Sequence, residues 1–493
     1  MIARLLISLT VSSFFLNCFE KKIESQEIYS LLTQDCEWVN TPVRYTAKDL
    51  KNRILLLDFW TYACVNCFQA ASEIEHLKKE FGPSLTVIGI HSAKFLNERE
   101  TRNIKAAIDR YEIRHPVIND WSFTIWDKFG IRAWPSFVLI NPDGKVIKKF
   151  EGEGEGKNIK NEILKLKASF KGKIEEKPLL IDAEVSPQSP LKFPNKITFA
   201  QDIKTIFISD TGNNRILATD LTGKIKYALS GFHQPHGLLY HKNSLIVADT
   251  KNHQIKQVDL KTKNVTVLAG TGFRGHTYHP QNKPAIEVPL ASPWALESYK
   301  SPDLLAVAMA GLHQIWVYDF NSKQFSVLAG NGTEAMHDGK YPMNALAQPS
   351  ALSFYDDKLY FLDAESSSLR VLHDRFLTTI IGKGLFEFGF SDGLPPQAQL
   401  QHPQGLSVTQ DGAVIADTFN HALRLYNFKT RVLSTLSGQG RSGFKNGNFK
   451  EALFNEPSGV IRIKNSYFVT DTNNHQIRVV NLINQKVTSL NIR

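Results

Sequence analysis

Between residues 190 and 493 a unit of short alternating apolar stretches recurs six times, and this repeat restricts the fold more than any other property of the 493-residue chain. The segments FISDTGNNRILATDL, IVADTKNHQIKQVDL, AVAMAGLHQIWVYDF, YFLDAESSSLRVLHD, VIADTFNHALRLYNF and FVTDTNNHQIRVVNL align on Asp210, Asp249, Met309, Asp363, Asp417 and Asp471. The last four anchors are evenly spaced along the chain, and an apolar Ile or Leu follows every anchor at one fixed offset: Ile216, Ile255, Ile315, Leu369, Leu423 and Ile477. A proline precedes each anchor at a nearly constant distance: Pro194, Pro235, Pro293, Pro349, Pro403 and Pro457. Self-similarity of this kind marks a modular array in which each unit buries its apolar face only against its neighbours.

Within a unit the alternation predicts four short strands, for example over 404–409, 412–416, 422–427 and 431–437. A lone four-stranded sheet cannot bury both faces. Six such sheets stacked radially can, so residues 191–493 are expected to form an all-β six-bladed propeller. The units resemble NHL repeats, including the glycine-rich connections AGTGFRGHTYHP, AGNGTEAMHDG and SGQGRSGFKNG. These lack the βαβ setting of a dinucleotide fingerprint and read as long loops needing positive φ. In DTGNNR the Asp, Asn and Arg are expected to cap the turn between second and third strands. His253, His313, His421 and His475 share one repeat position. Equivalent positions on neighbouring blades stand too far apart to share one ion, so no metal site is expected. The loop-bearing face is the expected docking surface for a protein partner.

Upstream, LLLDFWTYACVNCFQAASEIEHL (55–77) holds two of the four cysteines, Cys64 and Cys67. LLLDFW suits a buried parallel strand. Ala70, Ala71, Ile74, Leu77 and Phe81 then recur at helical spacing, which puts Cys64 at a strand-to-helix junction and Cys67 one turn in. LTVIGIH (85–91) is a further strand, 97–112 a helix, and SFVLINPDGKVIKKFEG a hairpin turned at Pro142-Asp143-Gly144. Alternating strands and helices predict an α/β domain over 36–170, followed by a Lys/Glu-rich linker over 171–190. A CxxC pair here is compatible with a redox centre, a structural disulfide or a metal site. Zinc is disfavoured because no second CxxC or Cys/His cluster supplies the other ligands.

DFWTYACVNC resembles the thioredoxin active-site segment, and FGIRAWPSFVLI resembles the loop carrying that family's cis-proline, here Pro135. The separation of the two motifs fits the TlpA/ResA-like branch. Ala63 stands where thioredoxins usually have Trp, and Val65-Asn66 replaces Gly-Pro. A thiol at a helix N-terminus meets unpaired N–H groups and the positive end of the macrodipole, which favour its thiolate. Cys64 is therefore the expected attacking sulfur, and Cys67 the resolving one that closes the Cys64–Cys67 disulfide. Asp58 is the expected buried proton acceptor. The resemblance further implies substrate contact at Trp134, before Pro135, and at Trp60. Cys36 reads as a bystander thiol.

The opening MIARLLISLTVSSFFLNCFEKK has the layout of a secretory signal, with Cys18 placed for lipidation, so 1–18 is expected to be a lipoprotein signal and the protein extracytoplasmic, in periplasm or envelope. The formal charge of +10 comes from dispersed lysines, which excludes a phosphate-tracking basic run and hence nucleic acid as the expected partner. The order of the two domains resembles the NHL repeat-containing protein two family and its bacterial relatives. The expectation is a thioredoxin-like α/β domain followed by a six-bladed NHL propeller. Its function would be thiol–disulfide oxidation or reduction of a protein substrate, without a cofactor, with the propeller as interaction platform and membrane contact through the lipid only. The alternative is a binding scaffold whose CxxC is vestigial or structural.

Overall fold

In the computed structural model, which describes residues 24–183, 189–280 and 282–493, six strands build the first sheet. They are β1 (Glu37–Val39), β2 (Ile54–Trp60), β3 (Leu85–His91), β4 (Val117–Asn119), β5 (Ser136–Ile140) and β6 (Val146–Glu151), in spatial order β1-β4-β3-β2-β5-β6. β2, β3 and β4 run parallel, while β5, β6 and β1 are antiparallel to their neighbours. Helices α1 (Ser25–Thr33), α2 (Ala47–Leu50), α3 (Val65–Phe81), α4 (Thr101–Arg110), α5 (Thr124–Phe129) and α6 (Gly156–Ser169) cover the sheet. Every residue of β2 is buried, and its side chains alternate between two cores. Leu55, Leu57 and Phe59 meet Ile28, Leu32, Ile125 and Phe129 on one side. Ile54 and Leu56 meet Ile74, Leu77, Ile159 and Ile163 on the other.

Three details depart from the sequence reading. The domain begins before residue 36, because α1 buries Ile28, Tyr29 and Leu32 in the first core. The helix expected over 97–112 is broken into a 3₁₀ turn (Leu96–Arg99) and α4, because Glu98 turns inward and accepts the backbone N–H of Phe95 at 3.0 Å. The described part of the linker is not a free tether. Arg53 Nη1 donates to Lys177 O at 2.5 Å, Glu175 N to Asn52 O at 2.7 Å, and the Tyr45 hydroxyl is bonded to both backbone groups of Leu180. The signal segment with Cys18 lies outside the described residues.

The second domain is six four-stranded antiparallel sheets, two of which gain a very short fifth strand at the rim. The fifth blade runs Gly405–Thr409, Gly412–Asp417, Ala422–Asn427 and Leu433–Gly438. Every blade is contiguous in sequence, and the sixth holds four strands of its own, Pro457–Ile463 to Lys486–Leu490. The ring closes where Thr472 Oγ1 donates to Pro194 O at 2.7 Å.

The repeat's side chains explain how. Asp210, Asp249, Asp363, Asp417 and Asp471 are fully buried, and each accepts a backbone N–H from the loop leading into its blade at 2.7–2.8 Å. In DTGNNR, Arg215 and Asn213 bond the Asp210 carboxylate at 2.7 and 2.9 Å, side chain to side chain where side-chain to backbone caps were expected. In the last three blades the cation comes instead from inside the third strand: Arg370–Asp363, Arg424–Asp417 and Arg478–Asp471 at 2.7–2.9 Å, with both partners buried. The four histidines sit in the left-handed region after each 3₁₀ turn and bridge blades. Their Nδ1 atoms accept N–H from Ser292, Gln348, Glu456 and Phe193 of the following blade at 3.0–3.2 Å. Burial lowers the pKa of His253, His421 and His475 to about 4, which keeps those rings neutral and able to accept.

Candidate active site

Cys64 ends the turn after β2 and is the N-cap of α3, where its Sγ accepts the Cys67 N–H at 3.2 Å. Both cysteines are free thiols, the reduced form of such a pair. Cys64 is half-buried, whereas Cys67, one turn in, is buried beneath it. Burial, with the nearby Cys64, pushes the Cys67 thiol well above its ordinary range. Asp58 lies in the middle of β2 and burial raises its carboxyl to about 7, the range of a usable proton acceptor near neutral pH. Asp58, Trp60, Cys67 and His115 line an internal cavity of about 10 Å³, the room of roughly one water.

The Trp134–Pro135 peptide is cis, and Trp134 packs on Trp126 with ring centroids 4.5 Å apart. Trp134 and Cys64 line a common cleft of about 190 Å³. Trp60 is placed otherwise than expected. It is 4 % exposed, edge-on to His91 at 4.8 Å, and faces the internal cavity, because the pleat of β2 turns it inward. Cys36 donates to Leu31 O at 3.2 Å, and burial holds its thiol up at about 11.

A residue invisible to motif reading braces the loop from behind. Glu98, fully buried, accepts the Thr61 hydroxyl, the Ala63 N–H at 2.9 Å and the Phe95 N–H. Burial raises its carboxyl to about 7.

The CxxC does not face open solvent. The loop-bearing end of the propeller packs on it, so the surface expected to receive a partner is occupied by the chain's own first domain. Gln348 Oε1 accepts the Val65 N–H and its Nε2 donates to Ala63 O, both at 2.9 Å. Gln69 Nε2 donates to Ser292 Oγ at 2.6 Å, and Leu96 N to Gln401 Oε1 at 3.1 Å. Buried ion pairs join Lys94 to Glu365 at 2.5 Å and Arg110 to Glu456 at 3.0 Å, and Arg274 pairs with Glu153 at 2.7 Å. His421 Nε2 meets Asn97 Oδ1 at 2.8 Å. Since Nδ1 accepts from Glu456, Nε2 carries the proton and donates.

These contacts share a sequence position. Phe193, Gln234, Ser292, Gln348, His402 and Glu456 each stand immediately before a blade proline, and all six have φ between 45° and 66°. Five of them reach the first domain: Gln234 donates to Arg110 O at 3.4 Å, and the His402 ring lies 5.2 Å from Phe95. The signal was present but unread. Inside a repeat whose prolines and aspartates recur, the residue before the proline changes from blade to blade, as expected of a position that meets a non-repeating partner.

A family model described as thioredoxin-like matches residues 52–146. The thiol-disulfide oxidoreductase ResA of Halalkalibacterium halodurans is 28 % identical over 109 residues, 21 % of this chain and 57 % of that protein. Protein SUPPRESSOR OF QUENCHING 1, chloroplastic, of Arabidopsis thaliana is 37 % identical over 484 residues, 90 % of this chain but 46 % of its own length, so the chain spans about half of that relative. The Homo sapiens NHL repeat-containing protein 2 is 34 % identical over 511 residues, covering 92 % of this chain and 70 % of that protein. With a match that runs through both the thioredoxin-like domain and the propeller, the chain belongs to the NHL repeat-containing protein 2 family.

Proposed function

We propose that the chain is a thiol–disulfide oxidoreductase in which Cys64 attacks, Cys67 resolves and Asp58 takes the Cys67 proton. The observation that carries this reading is the stacking of the three groups: Cys64 caps α3 and lines the cleft, Cys67 N–H rests on its sulfur, and Asp58, with its carboxyl raised to about 7, shares the small cavity below. Trp134 and Pro135 form the wall against which a disulfide would lie. A thioredoxin-like fold implies protein thiol substrates as a class, and a propeller suggests protein interaction. With one end of the ring taken by the first domain, such a partner would use the rim or the opposite end. An extracytoplasmic location, with a lipid anchor at Cys18, accords with this chemistry because cysteine pairs persist oxidised outside the cytoplasm.

The Cys64–Cys67 reduction potential tests the reading. A value between about −270 and −120 mV is that of a catalytic dithiol, whereas one below about −300 mV is that of a structural disulfide. The second outcome would favour a non-catalytic scaffold, a reading supported by the propeller's cover over the CxxC loop.

A further inference from the structure

We propose that His115 is a positioning residue for the resolving step: its ring and the indole of Trp60 hold one water in the cavity beneath Cys67, and that water orients the Asp58 carboxylate toward the Cys67 thiol. This rests on the oxidoreductase reading and deepens its proton transfer. Asp58 and Trp60 stand two residues apart on β2 and so share one face of the sheet. Gly89 pairs with Asp58 across the parallel β2–β3 ladder and brings no side chain to that face. Trp60 Nε1 and His115 Nε2 converge there, 3.0 and 3.3 Å from where a Gly89 Cβ would stand. Trp60 Nε1 and both ring nitrogens of His115 are buried without a hydrogen-bond partner among the described residues. Polar atoms buried this deeply are paired as a rule. The cavity that Asp58, Trp60, Cys67 and His115 line, about 10 Å³, has the room and the polar walls for one bridging water.

Burial lowers the His115 ring to about 3, so near neutral pH it carries one donor and one acceptor nitrogen. A water that accepts the Trp60 N–H and bonds a His115 nitrogen still has a proton to give to the Asp58 carboxylate. That bond favours the charged form of Asp58 and fixes the direction of its other lone pairs. In the step, the Cys67 thiol passes its proton to Asp58 and its sulfur attacks Cys64 Sγ of the mixed disulfide. The Cys64–Cys67 bond forms, and the substrate thiolate leaves with the electrons of the broken S–S bond. The other titratable groups around the cavity are Cys64, Tyr62 and Tyr111. Cys64 is then in disulfide form, and both phenols are held above their ordinary range. Lys78, whose charge reaches His115, is paired with Glu75 at 2.7 Å. Glu98 titrates near Asp58's range behind the loop, and Asp58→Asn separates the two, because only an Asp58 midpoint is lost with it.

The test is oxidation of the prereduced full chain by dithiobis(nitrobenzoate), followed across the neutral pH range through its coloured thiolate. One release reports attack by Cys64; the later one, absent from Cys67→Ser, reports resolution. His115→Leu should raise the pH midpoint of the later phase by about one unit and slow it about 10-fold below that midpoint, with the first phase unchanged. His115→Gln keeps a donor and an acceptor and should return the profile to within about 2-fold of wild type. Trp60→Phe, which removes the indole N–H, should shift the midpoint in the same direction, and it decides the matter if His115→Leu does not fold. An unchanged midpoint overturns the assignment. So does equal slowing of both phases, the mark of a merely structural role. Either result leaves the oxidoreductase reading standing. If the wild type shows no later phase, that reading falls, and this inference with it.

Discussion

The carboxamide of Gln348, in the propeller, straddles Cys64 of the thioredoxin-like domain: it accepts from the residue after the cysteine and donates to the residue before it, at 2.9 Å each. Gln348 is itself held by His313, whose Nδ1 accepts its N–H at 3.1 Å. The loop that carries the cysteine pair is therefore positioned from both sides, by Glu98 of its own domain and by an inter-blade strut of the next. The two domains are in direct contact across the CxxC loop and are not joined by a free tether.

Partner trapping follows from the depth difference between the sulfurs. In Cys67→Ser the mixed disulfide on Cys64 has no resolving thiol and should accumulate; in Cys64→Ser the remaining thiol is buried and should form none. Intact-mass spectrometry after exposure to cystine reads this directly. Adducts on Cys64→Ser equal to those on Cys67→Ser would contradict the assignment of roles.

The pH dependence is set by Asp58. With its carboxyl at about 7, the resolving step should rise with pH through that value as the carboxylate form appears. Asp58→Asn should flatten the rise and slow the step by about 100-fold or more. Stability moves the opposite way. A carboxyl raised from about 4 to about 7 binds its proton more tightly in the folded state, so stability is full below pH 4 and declines as pH climbs through 7, by at most ~4 kcal/mol. Asp58→Asn should therefore gain in urea midpoint over wild type at pH 8 and not at pH 4. A larger gain at pH 4 would refute the burial argument.

At the seam, Glu456 is fully buried and accepts from Arg110 at 3.0 Å, Asn97 at 2.9 Å and the Tyr62 hydroxyl at 3.2 Å. Glu456→Ala leaves a buried guanidinium without its counter-ion and should cost about 3–5 kcal/mol. Chemical denaturation of the variant checks this. Two separated transitions would show that the domains had uncoupled, and an unchanged midpoint would show that the pair contributes nothing.

The blade histidines are struts, which makes a prediction about closure. His475→Ala removes the acceptor for Phe193 N–H between the last blade and the first, at a cost of about 1–3 kcal/mol. His475→Asn should recover most of it, since Asn214 already plays this part for Gln234 N–H at 2.7 Å and tolerates the left-handed backbone. Melting temperatures of the three proteins, with and without a chelator, decide the matter; a drop caused by the chelator would favour a metal over a strut.

Anchoring is tested at Cys18. A clickable palmitate analogue should label the wild-type protein in cells and leave Cys18→Ser unlabelled, and absence of label from both would remove the lipoprotein assignment.

Much of this molecule was legible one residue at a time. The spacing of prolines and anchors determined six blades, because a period is a local property that every repeat states again. The junction of an apolar strand with a helical stripe determined where Cys64 and Cys67 stand, because both signals lie within one short stretch, between Leu55 and Phe81. Tertiary structure decided the rest. Trp60 was expected at the substrate, and the pleat of β2 instead turns it to the interior. Glu98 looked like one more charge on a helix until its carboxylate was drawn under the redox loop. Gln348 and Cys64 lie in different domains, more than half the chain apart, and no local rule of period, cap or turn carries that distance. The position of Gln348 depends on the placement of one domain against the other, a relation made by ion pairs and amide contacts between residues hundreds of positions apart in the chain.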